Sequence, residues 1–271
     1  MIKQAIIPLA GLGTRLLPLT SVFAKELLPI NGKPGIEYIM DECIEAGIKE
    51  VIFIISNKKI MIKNYFNNDF FFKKIIKKKK DKRISKEYKK ILKYKKMIKF
   101  VYQNNPRGTG DAVLKTKKFI KDNYFLMLLP DDLIIKKNCS KAMISVHNKY
   151  KCSVMASMNV NNKNVSRWGI YNIKKKINKN NFIIQDVIEK PSIKNAPSNK
   201  AVIGRYILPK IIFKELLKQK PGKDGEIHIT DAIQSLIKND KKFIGHNFYG
   251  KYLDCGTMNG YIQSTLEIAK L

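Results

Sequence analysis

The sequence predicts an α/β protein whose open, mostly parallel sheet carries helices on both faces. Two short runs, residues 3–9 and 50–56, are apolar except near their ends, as are the strands of a sheet that is buried on both faces. Between them, residues 33–47 repeat apolar side chains at the spacing of a helix. A strand, a helix and a second strand in this order form a βαβ unit, the building block of parallel sheets.

The helix at 33–47 also has recognisable ends, because Pro34 suits a first helical turn and Gly47 suits a C-terminal stop. The later predicted elements are a Lys-rich helical segment (60–97), a strand (99–103), a helix (110–120), a strand (124–132), a helix (140–150), a strand (152–160), short strands between 168 and 205, two helices (209–218 and 228–238), a strand (243–250) and a last helix (258–270). With 44% apolar residues and neither a repeat nor a linker, the 271-residue chain is predicted to form one domain with a small β-rich subdomain.

The formal net charge of +31 raises the question of a nucleic-acid or anionic-membrane partner. Lysine is densest at 75–97, but lysine, isoleucine and asparagine are enriched together along the whole chain. This joint enrichment indicates a bias toward A/T-rich codons and a solvated helix face, so we expect no nucleic-acid and no membrane partner. The sequence also lacks an uncharged apolar run of roughly eighteen residues, the length that spans a membrane.

The four cysteines and three histidines are scattered along the chain, and no CxxC pair occurs. Structural zinc sites and disulfide frameworks both need such residues at short, regular spacings. We therefore expect neither, and the pattern is typical of a protein from the reducing cytoplasm.

A glycine-rich turn follows the first predicted strand. Gly11 and Gly13 would let backbone N–H groups approach a phosphate closely. Arg15 could bind a terminal phosphate through its planar guanidinium, and Lys25 could act as a point charge on an inner phosphate. Leu16 occupies the third position of a GxGxxG pattern and a P-loop is absent, so neither of those motifs is indicated. The alternative is a tight strand–helix turn with two surface cations.

Two aspartates follow another predicted strand, in the segment LLPDD. Asp131, at the carboxyl end of a buried strand, would lie where open α/β sheets bind ligands. Carboxylates suit Mg²⁺, which takes one or two of them together with substrate phosphates, and Asp254 is a candidate second ligand. The alternative for one aspartate at a strand end is the capping of a helix.

Two further segments carry candidate binding residues. Gln103 ends a predicted strand, and its amide can pair with the edge of a base because it both donates and accepts hydrogen bonds. Gly108 would permit a backbone-lined pocket next to it. Glu189 could accept hydrogen bonds from sugar hydroxyls while Lys190 binds a phosphate, although a Glu–Lys pair is usually just a surface ion pair.

Taken together, the motifs resemble those of one family. In chain order they are GLGTR, KELLP, QxxxxGxG, PDD, EKP, GRYIL, GEIHITDAI and DCG. Over essentially the whole chain they resemble the bacterial UTP–glucose-1-phosphate uridylyltransferases, a branch of the sugar-phosphate nucleotidyltransferases. The long helical segment, APSNKAVIGRYIL, and GEIHITDAI before DCG indicate this branch, since relatives that act on thymidine nucleotides usually have DTG and lack the helical segment.

The resemblance implies a Rossmann-like nucleotidyltransferase fold and a Mg²⁺-dependent reaction. Glucose 1-phosphate would attack the α-phosphate of UTP in line, releasing pyrophosphate and giving UDP-glucose. Residues 1–135 would mainly bind the nucleotide and residues 136–271 the sugar phosphate, in a cytoplasmic homo-oligomer, either a dimer or a tetramer. A thymidylyl- or other sugar-1-phosphate nucleotidyltransferase and a low-activity regulatory paralogue are the alternatives.

The resemblance also implies a role for each candidate residue. By this resemblance, the nucleotide phosphates contact Ala10, Gly11, Gly13 and Arg15, the transferring group contacts Lys25, and substrate contacts Glu26. Uracil contacts Gln103 and Gly108, and Mg²⁺ is held by Asp131 and Asp254. Glucose contacts Gly169 and Glu189, and its phosphate contacts Lys190.

Four positions depart from the family pattern, one of them Trp168, an aromatic that replaces the usual tyrosine before Gly169 and can still pack. Ala24 replaces a proline, which is expected to loosen the turn that presents Lys25. Asp111 replaces a histidine and adds a negative charge near the nucleotide, and Met258 replaces a lysine after DCG. None of these departures removes a residue to which a direct charge role is assigned.

Overall fold

A nine-stranded sheet with helices packed against it forms the body of the molecule. The computed structural model describes residues 2–222 and 225–271. The strands are β1 (Gln4–Pro8), β2 (Pro29–Ile30), β3 (Lys33–Pro34), β4 (Glu50–Ile55), β5 (Ile98–Tyr102), β6 (Tyr124–Leu128), β7 (Asp132–Ile135), β8 (Ser153–Asn159), β9 (Gly169–Lys176), β10 (Asn181–Glu189), β11 (Lys200–Pro209), β12 (Phe243–Asn247) and β13 (Lys251–Asp254). The helices are α1 (Gly35–Glu45), α2 (Ile60–Asn67), α3 (Asp69–Lys79), α4 (Lys82–Met97), α5 (Thr109–Leu114), α6 (Cys139–Tyr150), α7 (Ile212–Lys218), α8 (Ile229–Lys238) and α9 (Met258–Ala269).

The main sheet has the strand order β5-β4-β1-β6-β11-β8-β12-β10-β9. Strands β5, β4, β1 and β6 are parallel neighbours, and β8 pairs in parallel with β12. Strands β11, β10 and β9 run antiparallel to their neighbours. The predicted α/β class is therefore confirmed, but the main sheet is mixed rather than mostly parallel. Its antiparallel pairing is confined to strands that the second half of the chain supplies or shares.

Successive side chains of the central strands point to opposite faces of the sheet, so each face has its own core. Ile7 and Phe53 pack with α1, α2, α4 and α6 on one face. Ile6 and Ile52 pack with α5, α7 and α8 on the other face. Because both faces are covered by helices, β1 and β4 are apolar at every position after the first, which is the pattern the sequence shows.

The ends of α1 follow the predicted signals. Pro34 immediately precedes the first helical residue, Gly35. Gly47 comes two residues after the last helical residue and has φ +83°, in the left-handed region that favours glycine. Proline before the helix and glycine after it thus fix the direction in which the chain enters and leaves α1.

The predicted strand at 124–132 is divided into two strands. Strand β6 ends at Leu128, and β7 begins at Asp132 and pairs antiparallel with β13 in a separate two-stranded sheet. The Leu129 N–H still donates to the Gly204 carbonyl oxygen at 2.7 Å, but Pro130, which follows it, has no N–H with which to continue the pairing of β6 with β11. Asp131 therefore lies in a turn between two sheets rather than at the end of a strand.

The prediction of short strands between 168 and 205 is wrong. Strands β9, β10 and β11 contain 8, 9 and 10 residues. They are long because β11 pairs with β6, β8 and β9 in turn, and β10 pairs with both β12 and β9. The long β11 also delays the next helix, since Pro209 is still in the strand and α7 begins only at Ile212.

The Lys-rich segment 60–97 is helical as predicted, and it comprises α2, α3 and α4.

None of α1–α9, as the structure describes them, is both long enough and apolar enough to cross a membrane. All four cysteines are buried free thiols.

Candidate active site

One cavity opens where the carboxyl ends of β1 and β5 meet the turn after β6. Its volume is about 260 Å³. Parallel strands bring their carboxyl ends to one edge of a sheet, which is where open α/β sheets bind ligands. The predicted site residues that line this cavity are Ala10, Gly11, Lys25, Glu26, Gln103, Gly108 and Asp131. Four separate stretches of the sequence thus meet in one hollow, which we call the nucleotide cavity.

The glycine turn after β1 depends on the backbone conformation of Gly13. Gly13 has φ +71°, and a Cβ atom added there would lie 3.0 Å from the Thr20 Cγ2 atom. The Thr20 hydroxyl donates to the Gly13 carbonyl oxygen at 2.9 Å and holds the loop closed. Gly11 borders the nucleotide cavity with open space around its Cα atom. Gly13 therefore shapes the loop, while Gly11 exposes backbone to a ligand.

Lys25 and Asp131 form an ion pair inside the nucleotide cavity. The Lys25 Nζ atom lies 2.6 Å from the Asp131 Oδ2 atom, and both side chains are half-buried. Burial alone would raise the pKa of the Asp131 carboxyl, but the Lys25 ammonium holds that pKa below its usual value. Burial would lower the pKa of Lys25, but the nearby carboxylates, Asp131 first and then Glu26, together outweigh burial, so the pKa of Lys25 is raised. Each group therefore keeps the other charged.

The turn that presents Lys25 is held firmly although the family's proline is absent. Residues Lys25–Leu27 form a single 3₁₀ turn. The Ala24 N–H, which a proline would lack, donates to the Met61 sulfur at 3.1 Å, and the Ala24 carbonyl oxygen accepts from the Leu27 N–H at 2.9 Å. The expectation that Ala24 loosens this turn is thus revised, because its own N–H makes an additional contact.

Glu26 lines the nucleotide cavity, but its carboxylate is already occupied. The Lys59 Nζ atom donates to both Glu26 oxygens, at 2.7 and 2.8 Å, and both residues are buried. The prediction that Glu26 binds substrate stays a prediction. The geometry of Glu26 fits a positioning role, in which a buried ion pair fixes the turn that carries Lys25.

Gln103 lies at the cavity end of β5 with its amide held by a neighbour. Its Nε2 atom donates to the Asp111 Oδ2 atom at 2.7 Å and to the Gly108 carbonyl oxygen at 3.3 Å. Asp111 also lies 3.9 Å from the Lys115 ammonium. The family departure at Asp111 therefore fixes the orientation of Gln103, and it leaves the Gln103 Oε1 atom as an acceptor for a ligand.

Asp131 and Asp254 face a common space at Gly256. A Cβ atom added to Gly256 would lie 2.9 Å from the Asp131 Oδ2 atom and 3.2 Å from the Asp254 Oδ1 atom. Within residues 2–222 and 225–271, no group of three or more His, Cys, Asp or Glu side chains forms a complete metal site. Two carboxylates that both approach Gly256 match the protein's share of a Mg²⁺ site, in which substrate phosphates and water complete the shell.

Asp132 adjoins Asp131 but points to different partners. Its Oδ2 atom accepts from the Gly204 N–H at 2.7 Å and its Oδ1 atom accepts from the Tyr252 hydroxyl at 2.6 Å. Burial, followed by the neighbouring Asp131 carboxylate, raises the pKa of Asp132 to about 6. Both oxygens of Asp132 are thus engaged, which leaves Asp131 as the aspartate of this turn that faces the cavity.

The residues predicted to bind the sugar phosphate lie at the end of the β9–β10 hairpin. Gly169 and Glu189 are register partners, and a Cβ atom added to Gly169 would lie 3.0 Å from the Glu189 Oε2 atom. Lys190 is exposed, and its backbone has φ +45° with its N–H donating to the Trp168 carbonyl oxygen at 3.0 Å. None of the three lines the nucleotide cavity. Arg15 is also exposed outside it, although its charge contributes to the lowered pKa of Asp131.

A second hollow lies on the side of the site that faces this hairpin. Its volume is about 800 Å³, and its lining includes Trp168, Tyr252, Asp254 and Met258. The Trp168 and Tyr252 rings meet edge to face with their centroids 5.5 Å apart. Asp254 therefore borders both the second hollow and the space it shares with Asp131, and the methionine that replaces the family's lysine lies in the second hollow.

Sequence reasoning did not identify Lys59 or Tyr252 as site residues. Lys59 lies in a lysine-rich stretch just after β4, so its burial cannot be distinguished from the solvated lysines around it. Tyr252 lies two residues before Asp254 in β13, so both side chains point to the same face of that strand. This alternation is the available signal for Tyr252.

Comparisons with known proteins agree on one family. The sequence profile described as nucleotidyl transferase matches residues 4–270. A UTP–glucose-1-phosphate uridylyltransferase from Streptococcus pyogenes serotype M3 is 36% identical over 273 aligned residues, which cover 99% of this chain and 90% of the relative.

Solved structures give the same result. A UDP-glucose pyrophosphorylase in complex with UDP-glucose superposes with a TM-score of 0.88 at 36% identity, covering 100% of this chain and 99% of the other. A UTP-bound enzyme of this kind from Acinetobacter baumannii superposes with a TM-score of 0.90 at 33% identity, covering 99% and 93%. The similarity therefore extends over the whole sheet and both hollows.

Proposed function

The chain belongs to the nucleotidyl transferase family, and from this premise we propose that it converts UTP and glucose 1-phosphate to UDP-glucose and pyrophosphate. The observation that carries the proposal is the nucleotide cavity, in which Lys25, Gln103 and Asp131 meet beside the glycine turn. A base-reading amide, a phosphate-binding cation and a carboxylate in one hollow are what a nucleoside triphosphate requires.

The reaction needs position and charge neutralisation rather than a covalent intermediate. A phosphate oxygen of glucose 1-phosphate forms a bond to the α-phosphorus of UTP, and the bond from that phosphorus to the pyrophosphate oxygen breaks on the opposite side. Both substrates are anions, so cations that surround the α-phosphate lower the barrier to their approach. Lys25 from the cavity side and Lys190 from the hairpin side are the proposed cations.

The nucleotide is proposed to bind with its base at Gln103 and its phosphates on the glycine turn. With Nε2 donating to Asp111, the free Oε1 atom of Gln103 can accept from the N3–H of uracil. The backbone from Ala10 to Gly13 would donate to phosphate oxygens, and the exposed Arg15 would fold onto the outer phosphates. Lys25 neutralises Asp131. When substrate binds, Lys25 would exchange this partner for a phosphate oxygen of the substrate.

Members of this family generally use a divalent metal ion. We propose Mg²⁺ for this chain, held by Asp131 and Asp254, whose carboxylates both lie close to Gly256. The bound ion would neutralise charge on the phosphate oxygens. Asp131 then has two alternative partners, Lys25 and the metal ion.

Glucose 1-phosphate is proposed to bind at the β9–β10 hairpin, with Gly169 and Glu189 on the sugar and Lys190 on its phosphate. The adjacency of Gly169 and Glu189 supports a shared contact surface for hydroxyl groups. The division into a nucleotide part, 1–135, and a sugar-phosphate part, 136–271, belongs to the same proposal. A homo-oligomer and a cytoplasmic location stay predictions.

The test is a panel of nucleotides and sugar 1-phosphates with pyrophosphate release as the readout. We expect turnover with UTP, glucose 1-phosphate and Mg²⁺, and loss of turnover when EDTA removes the metal. A clear preference for dTTP over UTP would overturn the uridylyl assignment, and the absence of pyrophosphate release with every pair would overturn the proposal as a whole.

A further inference from the structure

We infer that Arg205 is a positioning residue that holds the turn Leu129–Asp132, so that Asp131 faces the nucleotide cavity and Asp132 faces away from it. The inference rests on the proposed function, because it assigns Asp131 to the metal ion. It concerns a side chain that touches neither hollow.

Arg205 is fully buried in the middle of β11, at 0% exposure. Its Nη2 atom lies 2.7 Å from the Glu42 Oε2 atom, and its Nε atom donates to both Glu42 oxygens. Its Nη1 atom is directed elsewhere and donates to the Leu129 carbonyl oxygen at 3.1 Å. One edge of the guanidinium, with Nε and Nη2, thus binds the Glu42 carboxylate. The remaining nitrogen, Nη1, binds the first residue of the turn Leu129–Asp132.

The residue before Arg205 contacts the same turn at both ends. The Gly204 carbonyl oxygen accepts from the Leu129 N–H at 2.7 Å, and the Gly204 N–H donates to the Asp132 Oδ2 atom at 2.7 Å. A Cβ atom added to Gly204 would lie 2.5 Å from both the Asp132 Oδ2 atom and the Leu129 Cβ atom. Gly204 and Arg205 therefore hold the turn through hydrogen bonds at both of its ends. The contact is so close that residue 204 has no space for a side chain.

Glu42 is itself held in place, so the guanidinium has a fixed reference. The Glu42 Oε1 atom accepts hydrogen bonds from the backbone N–H of Ser140, at 3.1 Å, and from the Ser140 hydroxyl. Ser140 lies in the first turn of α6, and Glu42 lies in α1. Two helices thus orient one carboxylate, the carboxylate orients Arg205, and Arg205 orients the turn.

A buried ion pair is weak support for stability by itself, since apolar residues of similar volume commonly replace such a pair without loss. A guanidinium is the side chain that can bind a carboxylate through two nitrogens and still donate to a carbonyl group in the same plane. This third hydrogen bond gives Arg205 a task that an apolar residue cannot perform. The consequence is that removing the charge pair should preserve the fold and release the turn.

The experiment compares three proteins: wild type, the double variant E42Q/R205M and the double variant E50Q/K99M. The Glu42→Gln change keeps an acceptor for Ser140 while both charges disappear. The E50Q/K99M control removes a different ion pair, Glu50–Lys99, which joins β4 to β5 and is remote from the turn. Two measurements are made without substrate: hydrogen–deuterium exchange of the fragment 124–135, and the affinity for Mn²⁺ as a probe of the metal site.

In E42Q/R205M we expect faster amide exchange at 129–132 and Mn²⁺ binding that is weaker by about 10- to 100-fold, the range known for residues that orient metal ligands. We expect wild-type values for both in E50Q/K99M. In steady-state assays kcat should fall, while the KM for glucose 1-phosphate stays within about twofold of wild type. Wild-type exchange and Mn²⁺ affinity in a folded E42Q/R205M would overturn the inference.

The variant R205K covers the case in which the double variant does not fold. A lysine keeps the charge but has a single nitrogen, so it cannot bind Glu42 and the Leu129 carbonyl oxygen in the same geometry. Faster exchange at 129–132 in R205K supports the inference, and unchanged exchange overturns it. Neither readout uses turnover, so a wild-type protein that fails to release pyrophosphate would refute the proposed function separately.

Discussion

The candidate site has an inner group of side chains that is already paired and an outer group that is not. The inner group consists of Lys25, Glu26, Gln103 and Asp131, which are buried or half-buried and bonded to protein partners. The outer group consists of Arg15, Glu189 and Lys190, which are exposed. In the described part of the chain, no outer side chain makes a hydrogen bond or ion pair.

This difference means that the inner side chains are ordered when the protein folds, whereas the outer side chains are ordered only when substrate binds. The inner group is ordered when the protein folds, so its removal should disturb both stability and activity. The outer side chains have rotamer freedom that they lose only when substrate arrives. Their removal should reduce activity and leave stability unchanged, and the following tests of this comparison run from the largest expected effect to the smallest.

The largest effect is expected for Asp131→Asn, which removes an inner charge and keeps the shape. We expect kcat for pyrophosphate release to fall by about 10³-fold, because charge stabilisation at the transferring phosphate is the main catalytic contribution. The free energy of unfolding should also fall, by about 2 kcal/mol, since Lys25 loses its partner.

The matched control is Asp240→Asn, an exposed aspartate with φ +57°, a conformation that asparagine adopts readily. It should change neither quantity. An Asp131→Asn protein with wild-type turnover would show that the inner group is not needed for activity.

Lys190→Gln tests the outer group. We expect kcat/KM for glucose 1-phosphate to fall by about 10²-fold, because the phosphate loses its cation. The free energy of unfolding should stay within about 0.5 kcal/mol of wild type, as for other exposed positions. The exposed Lys194 in the neighbouring 3₁₀ turn provides the control, and Lys194→Gln should change neither quantity. A Lys190→Gln protein that is clearly less stable would show that the outer group is also structural.

Tyr252→Phe tests whether the two groups are connected. The Tyr252 hydroxyl donates to Asp132, and its ring packs against Trp168, whose carbonyl oxygen accepts from the Lys190 N–H. Burial, with Asp132 close by, raises the pKa of this phenol, so it stays a donor. We expect kcat to fall about tenfold, in line with the loss of one hydrogen bond to a charged group. Tyr249→Phe, at an exposed tyrosine, is the control.

Asp111→Ala tests the orientation of Gln103 in the inner group. Without the carboxylate, the amide can turn and present its N–H₂ group, which suits the N3 acceptor of cytosine rather than the N3–H of uracil. We expect the preference for UTP over CTP to fall about tenfold. Lys115→Ala removes the other partner of Asp111 and should keep the preference. An unchanged preference in Asp111→Ala would remove Gln103 from base selection.

The smallest effect concerns pH and lies outside both groups. His147 and His246 belong to the second half of the chain, and burial lowers the pKa of each. A folded pKa below the unfolded value of about 6.5 means that the unfolded chain takes up protons first as the pH falls. Stability is therefore complete above about pH 6.5 and decreases as the pH falls toward the folded values.

The double variant His147→Gln with His246→Gln should reduce this dependence, measured as the difference between urea midpoints at pH 7.5 and pH 5.5. An equally large difference in the variant would assign the acid sensitivity to other groups.

The sequence predicted the parallel strands and the inner cavity well, because both depend on local patterns. Continuous apolar strands mark burial on both faces, and the residues that follow them must share one edge of the sheet. The partners of these residues were not predictable in the same way. Lys59 reaches Glu26 across 33 positions and Arg205 reaches Glu42 across 163, and such pairings depend on the packing of whole elements.

The error at β6 has the same origin. The strand appeared to continue to Asp132 because the segment is apolar up to Pro130, whereas it ends at Leu128 and Asp132 begins a second sheet with β13, a strand from the far end of the sequence. The local pattern likewise did not indicate that Lys59 binds the Glu26 carboxylate. Local patterns thus locate functional side chains, but tertiary contacts decide which of their atoms remain available.

The small sheet of β7 and β13 sets the order in which the site can mature. Asp132 and Asp254 are register partners in it, although they lie on segments far apart in the chain. During synthesis, the glycine turn, Lys25 and Asp131 emerge early, whereas Gly204 and Arg205, which hold the turn of Asp131, and the second carboxylate, Asp254, emerge later. An unfinished chain therefore lacks both the contacts that orient Asp131 and the second carboxylate proposed for the metal ion.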